Sequence, residues 1–76
     1  MPRIVPLPWR DVERVFFAAG FRFVRQAGSH RAYTKPGVPR PIIIPTYDEV
    51  PVSIIRGNLR SAGISRDEYF ALLEGR

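Results

Sequence analysis

The sequence predicts an α+β fold of the order α-β-β-β-α with a short additional C-terminal helix. Apolar residues recur at steps of three and four near both ends of the chain, which indicates amphipathic helices. Between them, β-branched and aromatic stretches are separated by glycine and proline turn signals, which indicates short strands. A three-stranded antiparallel sheet with helices on one face accommodates this order.

The length of 76 residues predicts one domain, residues 1–76, with a limited core. A chain near this size buries only about 60% of its unfolded surface. Pro2 and Pro6 predict that residues 1–7 form an extended arm, since proline fixes φ and removes a donor. The longest apolar run, residues 42–44, is far below the ~20 residues of a membrane span, and the start of the chain lacks a signal-peptide pattern. We therefore expect a cytoplasmic protein that does not contact membranes.

The first helix is predicted over residues 8–19. Asp11 and Glu13 lie in its first turn, where carboxylates favour the positive end of the helix dipole. Gly20 is placed to end it in a left-handed conformation. Its apolar face is formed by residues at helical spacing: Trp9, Val12, Val15, Phe16 and Ala19.

A hairpin and a third strand are predicted next. The first strand covers residues 21–27, and Gly28-Ser29 forms the turn into a second strand over residues 30–35. The third strand, residues 40–45, is β-branched and has prolines near both ends. Proline cannot donate to a central ladder, so this strand is predicted at an edge of the sheet.

Two helices are predicted to complete the chain. Pro51 suits the first turn of the second helix, and Gly63 its end, whereas Gly57 weakens its interior by about 1 kcal/mol relative to alanine. Ser65 and Glu68 have the spacing of a capping box, which predicts the start of a short last helix. The second helix carries an apolar stripe: Val52, Ile55, Leu59 and Ala62.

The charge favours a phosphate-bearing partner. Twelve basic residues oppose seven acidic ones, which gives a net charge of +5, and eleven of the twelve are arginine. Arginine forks match pairs of phosphate oxygens and stack on flat rings. No acidic residue falls between Arg22 and Lys35. Four basic residues lie around His30 in the sequence, with Tyr33 among them: Arg25, Arg31, Lys35 and Arg40.

Other arginines have a plainer interpretation as solvated helix surface, with some paired to neighbouring acids: Arg10, Arg14, Arg56, Arg60 and Arg66. The phenylalanines are likewise predicted to be core residues rather than platforms for stacked bases: Phe16, Phe17, Phe21, Phe23 and Phe70. The segment from Leu59 to Leu73 resembles a DNA-binding helix-turn-helix, but its reading helix would lead with Asp67 and Glu68, the wrong charge for DNA. We interpret it as a helix docked on the core.

His30 is the one strongly chemical side chain. The chain has no cysteine, which excludes disulfides, thiolate metal sites and a thiol nucleophile, and a single histidine with no carboxylate cluster predicts no metal site. Histidine can move protons near neutral pH, and cationic neighbours stabilise charge on a phosphate. His30 with arginines therefore suits RNA cleavage, in which the substrate's 2′-hydroxyl is the nucleophile. The alternative is a surface histidine without a catalytic role.

Five ordered motifs closely resemble the HicA toxin family, over about residues 9–73: Gly20-Phe21, Gly28-Ser29-His30-Arg31-x-Tyr33, Ile43-Ile44-Pro45, Leu59-Arg60-x-Ala62-Gly63-Ile64-Ser65 and Tyr69-Phe70. The resemblance implies a double-stranded-RNA-binding-domain-like fold and a ribonuclease that cleaves mRNA and blocks translation. It also implies a HicB-like antitoxin partner that covers the active surface. The family's active-site histidine falls on His30.

One departure concerns the loop after the third strand, where the family commonly has Pro-x-His and this chain has Pro45-Thr46-Tyr47. One imidazole then remains for two proton transfers, and Tyr47 is expected to donate a proton or bind phosphate. We expect His30 to be the catalytic acid or base, with no cofactor. The predicted RNA contacts are Arg25, Ser29, Arg31, Lys35 and Tyr47. Two alternatives remain: a non-catalytic RNA-binding module, and a basic face that serves only an acidic protein partner.

Overall fold

The computed structural model describes residues 2–75, and its element order is the predicted one. Met1 and Arg76, which the predicted domain includes, lie outside the described residues. The elements are each within two residues of the predicted bounds: α1 Trp9–Ala18, β1 Arg22–Ala27, β2 His30–Thr34, β3 Ile42–Pro45, α2 Val52–Ala62 and α3 Arg66–Leu73. The α+β class is confirmed, and the order is consistent with a double-stranded-RNA-binding-domain-like fold.

The helices end where the local signals predicted. Gly20 and Gly63 follow α1 and α2 with φ of 98° and 70°, which a residue with a Cβ adopts only under strain. Ser65 accepts a hydrogen bond from the Glu68 amide while the Glu68 carboxylate accepts one from the Ser65 amide, so the capping box is confirmed. Residues 2–6 of the arm form no helix or strand, and Leu7 forms an isolated β-bridge with Val50.

The sheet is antiparallel in the order β1-β2-β3, which confirms the edge position of the third strand. Side chains that pair across strands point to the same face of a sheet. The inner face carries Tyr33, which pairs with Phe23 and Ile42, and the helices cover this face. The hydrophobic core between sheet and helices contains, besides Tyr33 and Ile42, these buried residues: Val12, Val15, Phe16, Phe21, Ile44, Val50, Ile55, Leu59 and Tyr69.

The opposite face of the sheet, called the outer face below, carries eight positions given by the strand register: Arg22, Arg25, Ala27, His30, Ala32, Thr34, Ile43 and Pro45. A β-bulge in β1 determines one of them. The pairing register shifts between Phe23 and Arg25, so Val24 is an extra residue in the ladder. Strict alternation from Phe23 would place Arg25 on the inner face, whereas the bulge pairs Arg25 with Ala32 on the outer face.

The prediction that all five phenylalanines are core residues is wrong for two of them. Phe16 and Phe21 are buried as expected, and Phe70 packs against the core, but Phe17 and Phe23 are 45% and 42% exposed. Their rings contact the Tyr33 ring edge-on, at centroid distances of 5.7 and 6.0 Å. They lie at the margin of the core because β1 is an edge strand, and all six of its residues are exposed.

Asn58, a polar residue in α2, is 9% exposed and faces the sheet. Its Nδ2 donates a hydrogen bond of 3.1 Å to the Ile43 carbonyl in β3. A buried amide without a partner would cost stability, so this bond accounts for a polar residue at a helix–sheet contact.

Candidate active site

His30 begins β2 directly after the hairpin turn, and its side chain is exposed on the outer face. Gly28 in that turn has φ of 58°, a conformation that favours glycine, so the turn geometry explains the residue type. Within residues 2–75 the His30 imidazole makes no hydrogen bond or ion pair. It is therefore accessible to a ligand that approaches the outer face.

The loop after β3 is bound to the hairpin turn beside His30. The Thr46 amide donates to the Ser29 carbonyl at 2.7 Å, and Thr46 Oγ1 donates to the same oxygen at 3.2 Å. Tyr47 follows, 44% exposed, and its carbonyl accepts a hydrogen bond of 3.1 Å from the Trp9 amide. Ser29, His30 and Tyr47, all predicted from the sequence, therefore lie at one end of the sheet.

Arg25 is the nearest outer-face cation to His30 in the strand register. His30 pairs across the strands with Ala27, and Arg25 lies two residues before Ala27. Arg25 is therefore the diagonal neighbour of His30. Such neighbours are about 7–8 Å apart, which long side chains can span. The Arg25 side chain is exposed and has no hydrogen bond or ion pair within the described residues. His30 and Arg25 can therefore contact one bound phosphodiester.

Arg31 lies on the inner face, where its guanidinium is bonded within the chain. Its Nε donates to the Tyr33 hydroxyl at 2.9 Å, its Nη2 pairs with Glu13 Oε2 at 3.0 Å, and its Nη1 donates to Gln26 Oε1 at 2.8 Å. The Tyr33 hydroxyl donates to the same Glu13 oxygen. Glu13, Arg31 and Tyr33, called the Glu13 network below, join α1 to the middle strand directly beside His30.

Two aromatic rings flank the guanidinium of Arg31. It lies 4.1 Å from the centroid of the Phe23 ring and 5.1 Å from that of the Trp9 ring, within the range of cation–π attraction. The Arg31 and Glu13 side chains are only 20% and 16% exposed. With all three guanidinium nitrogens bonded and rings beside it, Arg31 is placed to hold the hairpin on α1.

The network shifts the pKa values of its members. Burial, followed by the hydrogen bond to Glu13, raises the pKa of Tyr33 to about 12. The hydrogen bond with Tyr33 is the largest cause of a raised pKa for Arg31. Both groups keep their protons at neutral pH, so neither is a base for proton transfer.

The raised pKa of Tyr33 predicts a loss of stability in alkali. An ordinary tyrosine titrates near pH 10, whereas folded Tyr33 keeps its proton to about pH 12. Its contribution is therefore fully present below pH 10 and is lost as the pH rises to 12, by about 2–3 kcal/mol. Burial raises the pKa of Tyr69 as well, so part of the fall in stability with pH comes from Tyr69. Urea unfolding between pH 10 and pH 12 should show a smaller fall in the free energy of unfolding for Tyr33→Phe than for the wild type. An equal fall in the two proteins would contradict the assignment.

His30 begins β2, and Lys35 lies just past the other end of this strand. Five residues of extended chain separate the two, about 16 Å. Its ammonium lies 5.8 Å from the Phe21 ring centroid, and its Cε would lie 3.4 Å from a Cβ added at Gly20. The structure therefore does not bring Lys35 to the phosphate that His30 would contact.

Sequence reasoning missed two residues of this region. Glu13 was interpreted through the helix dipole, although its main partners are 18 and 20 positions away, and no local pattern signals such a pair. Thr46 was passed over, although its position between Pro45 and Tyr47 in the altered loop motif was a usable signal.

Among residues 2–75, no three side chains of His, Asp or Glu are grouped so that they could hold a metal ion. None of the helices in this part of the chain has the length and apolar character needed to cross a membrane.

Comparison with known families gives a match. The model of a family described as the HicA toxin of bacterial toxin–antitoxin systems matches residues 9–64, well over half of the 76-residue chain. The matched segment runs from α1 to the turn after α2 and includes His30, Arg25 and Tyr47. Comparisons with curated proteins and with solved structures gave no significant match.

Proposed function

Because the chain belongs to the HicA toxin family of bacterial toxin–antitoxin systems, we propose that it acts as an endoribonuclease that cleaves mRNA in the cytoplasm. One observation carries the proposal: an exposed, unbonded histidine shares the outer face with a diagonal arginine. This pair has the two properties that cleavage of a phosphodiester needs, a group that moves protons and a cation for the charged phosphate.

The substrate supplies the nucleophile in the proposed reaction. The 2′-hydroxyl of a ribose attacks the adjacent phosphorus, and the bond from phosphorus to the 5′-oxygen breaks. His30 takes the proton from the 2′-hydroxyl, or alternatively gives one to the leaving 5′-oxygen. The second proton transfer falls to the Tyr47 hydroxyl or to water. Arg25 stabilises the charge that develops on the phosphate oxygens. The reaction therefore requires no cofactor.

The predicted RNA contacts divide by position. Arg25, Ser29 and Tyr47 lie at the His30 end of the sheet and suit the phosphate that is cleaved. Lys35, at the other end of β2, suits a different phosphate of the same strand. For Arg31, the internal bonds support an indirect contribution to RNA cleavage, through the position of the hairpin that carries His30.

A non-catalytic RNA-binding module on the same outer face is the second candidate. Its exposed cations would bind RNA, and Tyr47 would contact phosphate without proton transfer. Incubation of purified protein with a labelled RNA separates the candidates: the enzyme yields shorter products, whereas the binding module leaves the RNA intact and binds with a steep salt dependence.

Arg25→Ala is expected to weaken binding of a 2′-deoxy-substituted, uncleavable oligonucleotide. It removes one phosphate contact, so the slope of log K against log salt should fall by about one unit. Fluorescence anisotropy at several salt concentrations measures both effects. Arg40→Ala is the matched control, because Arg40 is exposed in the loop before β3. Equal losses for the two variants would mean that only net charge matters.

The family implies an antitoxin as partner, and we propose a HicB-like protein that covers the outer face. An adjacent reading frame of about 70–150 codons is the expected source, a length that suits a small domain with a short extension. The purified product of that frame should block RNA cleavage when added in equimolar amount. If the antitoxin blocks cleavage but leaves the NMR resonances of His30 unchanged, the proposal that it covers the outer face is wrong.

A further inference from the structure

A second basic surface lies on the helix side of the molecule, away from His30. A groove of about 280 Å³ is lined by Arg56, Arg60 and Arg66 together with three apolar residues. It adjoins a cavity of about 450 Å³ to which Arg3 contributes. Both are called the arginine groove below. Its apolar lining consists of Ile4, Leu59 and Ile64, and neither part is lined by an acidic residue.

Three segments build the arginine groove. Arg56 and Arg60 are four residues apart on α2 and therefore lie on one side of that helix. Arg66 begins α3 across the intervening turn and donates a hydrogen bond to the Pro2 carbonyl, which ties the arm to this helix. The arm in turn contributes Arg3. These cations come together only in the folded chain, since Pro2 in the arm and Arg66 in α3 are 64 positions apart.

The positive charge of the groove is not neutralised. None of its four arginines forms an ion pair with another residue of the described chain, 2–75. Like charges four residues apart on a helix, as at Arg56 and Arg60, destabilise it. An anion bound in the groove would offset this repulsion, so we expect anion binding to stabilise the protein.

The lining discriminates between two classes of polyanion. Single-stranded nucleic acids bind basic grooves through bases stacked on aromatic rings, and no aromatic residue lines this one. Instead, its floor is aliphatic: Leu59 is 5% exposed, and Ile4 and Ile64 are half-buried. An aliphatic floor between arginines suits a peptide that carries both carboxylates and an apolar side chain. Arginine binds carboxylates through two parallel hydrogen bonds, which adds geometric selectivity.

We propose that the arginine groove is a docking site for an acidic segment of a protein partner, whose carboxylates pair with the arginines and whose apolar side chain covers the aliphatic floor. The site lies on the helix layer, on the other side of the sheet from His30. Docking there is therefore separate from RNA cleavage, and its test does not depend on the proposed function.

The test measures binding of a fluorescein-labelled synthetic helix-forming peptide with glutamates and leucines on adjacent faces. Wild-type protein should bind it saturably, and Arg56→Glu should weaken binding about tenfold or more. Arg40→Glu is the control with the same charge change, and it should weaken binding less than about twofold. Arg56 is exposed on α2 and Arg40 is exposed in a loop, so both variants should fold, as circular dichroism will verify. Arg3→Glu, outside the helices and strands, provides a second variant.

Two further probes define the outcomes. The peptide with serine in place of leucine should bind more weakly, and a deoxy-substituted oligouridine should bind equally well to wild type and Arg56→Glu. No saturable peptide binding up to about 1 mM, or equal losses with Arg56→Glu and Arg40→Glu, would overturn the proposal. If Arg56→Glu weakens oligouridine binding as much as it weakens peptide binding, the proposal is also overturned, since the groove would then be part of the RNA surface.

Discussion

His30→Ala is expected to abolish RNA cleavage and growth arrest and to leave the protein folded. The imidazole is exposed and makes no hydrogen bond or ion pair within residues 2–75, so its removal takes nothing from the core. General acid–base help of this kind contributes about 10²–10⁴-fold, or roughly 3–5 kcal/mol of barrier. Purified variants should be compared in a cleavage assay on labelled RNA, with the unfolding midpoint measured in urea for each.

One comparison makes the His30→Ala result specific. Thr34→Ala, at the far end of β2 on the same outer face, should retain cleavage. If His30→Ala cleaves RNA as fast as the wild type, the catalytic assignment is wrong. If the wild type binds RNA without cleaving it, the binding-module alternative is correct.

Glu13→Ala is expected to cost stability and activity together, although Glu13 lies on α1 and is predicted to contact no substrate. The change leaves the Arg31 guanidinium without its ion pair and the Tyr33 hydroxyl without its acceptor, in a region that is largely buried. A buried donor left unsatisfied costs about 1–3 kcal/mol, and more when it is charged. We expect a loss of about 2–3 kcal/mol, a large share of the 5–15 kcal/mol typical of a whole domain.

Urea denaturation measures this loss, and Glu49→Ala is the matched control. Glu49 is exposed in the loop before α2, and its removal should change stability by less than about 0.5 kcal/mol. A double-mutant cycle of Glu13→Gln with Tyr33→Phe should give a coupling energy above about 0.5 kcal/mol, as expected for residues in contact. Additive effects would show that the two side chains do not act together.

The activity of Glu13→Ala tests whether the Glu13 network positions the hairpin. Arg31 follows His30 directly in β2, so a loosened Arg31 should displace the imidazole without changing its chemistry. We therefore expect a lower kcat with a nearly unchanged KM for RNA, and partial rescue by Glu13→Gln. A merely structural role would lower the folded fraction, and kcat per folded molecule would then equal the wild-type value.

Most of the fold was predictable because its signals are local. The apolar face that ends at Gly20, the glycine turn at Gly28 and the capping box of Ser65 and Glu68 each depend on residues a few positions apart. Element bounds followed to within two residues. The exposure of Phe17 and Phe23 did not follow, since it depends on which strand forms the edge and on what packs beyond it.

The candidate site was predictable only in part. Ser29, His30 and Tyr47, which the sequence predicts as site residues, lie at one end of the sheet, because a tight hairpin and the strand paired with it bring these positions together. Arg31 and Lys35 were grouped with them by sequence proximity, which a strand does not preserve. Alternation turns Arg31 to the inner face, and strand length carries Lys35 about 16 Å from His30.

The sequence by itself determined the order of helices and strands, the family and the identity of His30 as the residue to test, because these depend on short patterns in the chain. Only the tertiary structure decided which cations are available. A single extra residue in β1 brings Arg25 to the outer face beside His30, and a carboxylate 18 positions away in α1 binds the guanidinium of Arg31. Each depends on strand register or on a contact between distant elements, and the local sequence pattern did not specify either.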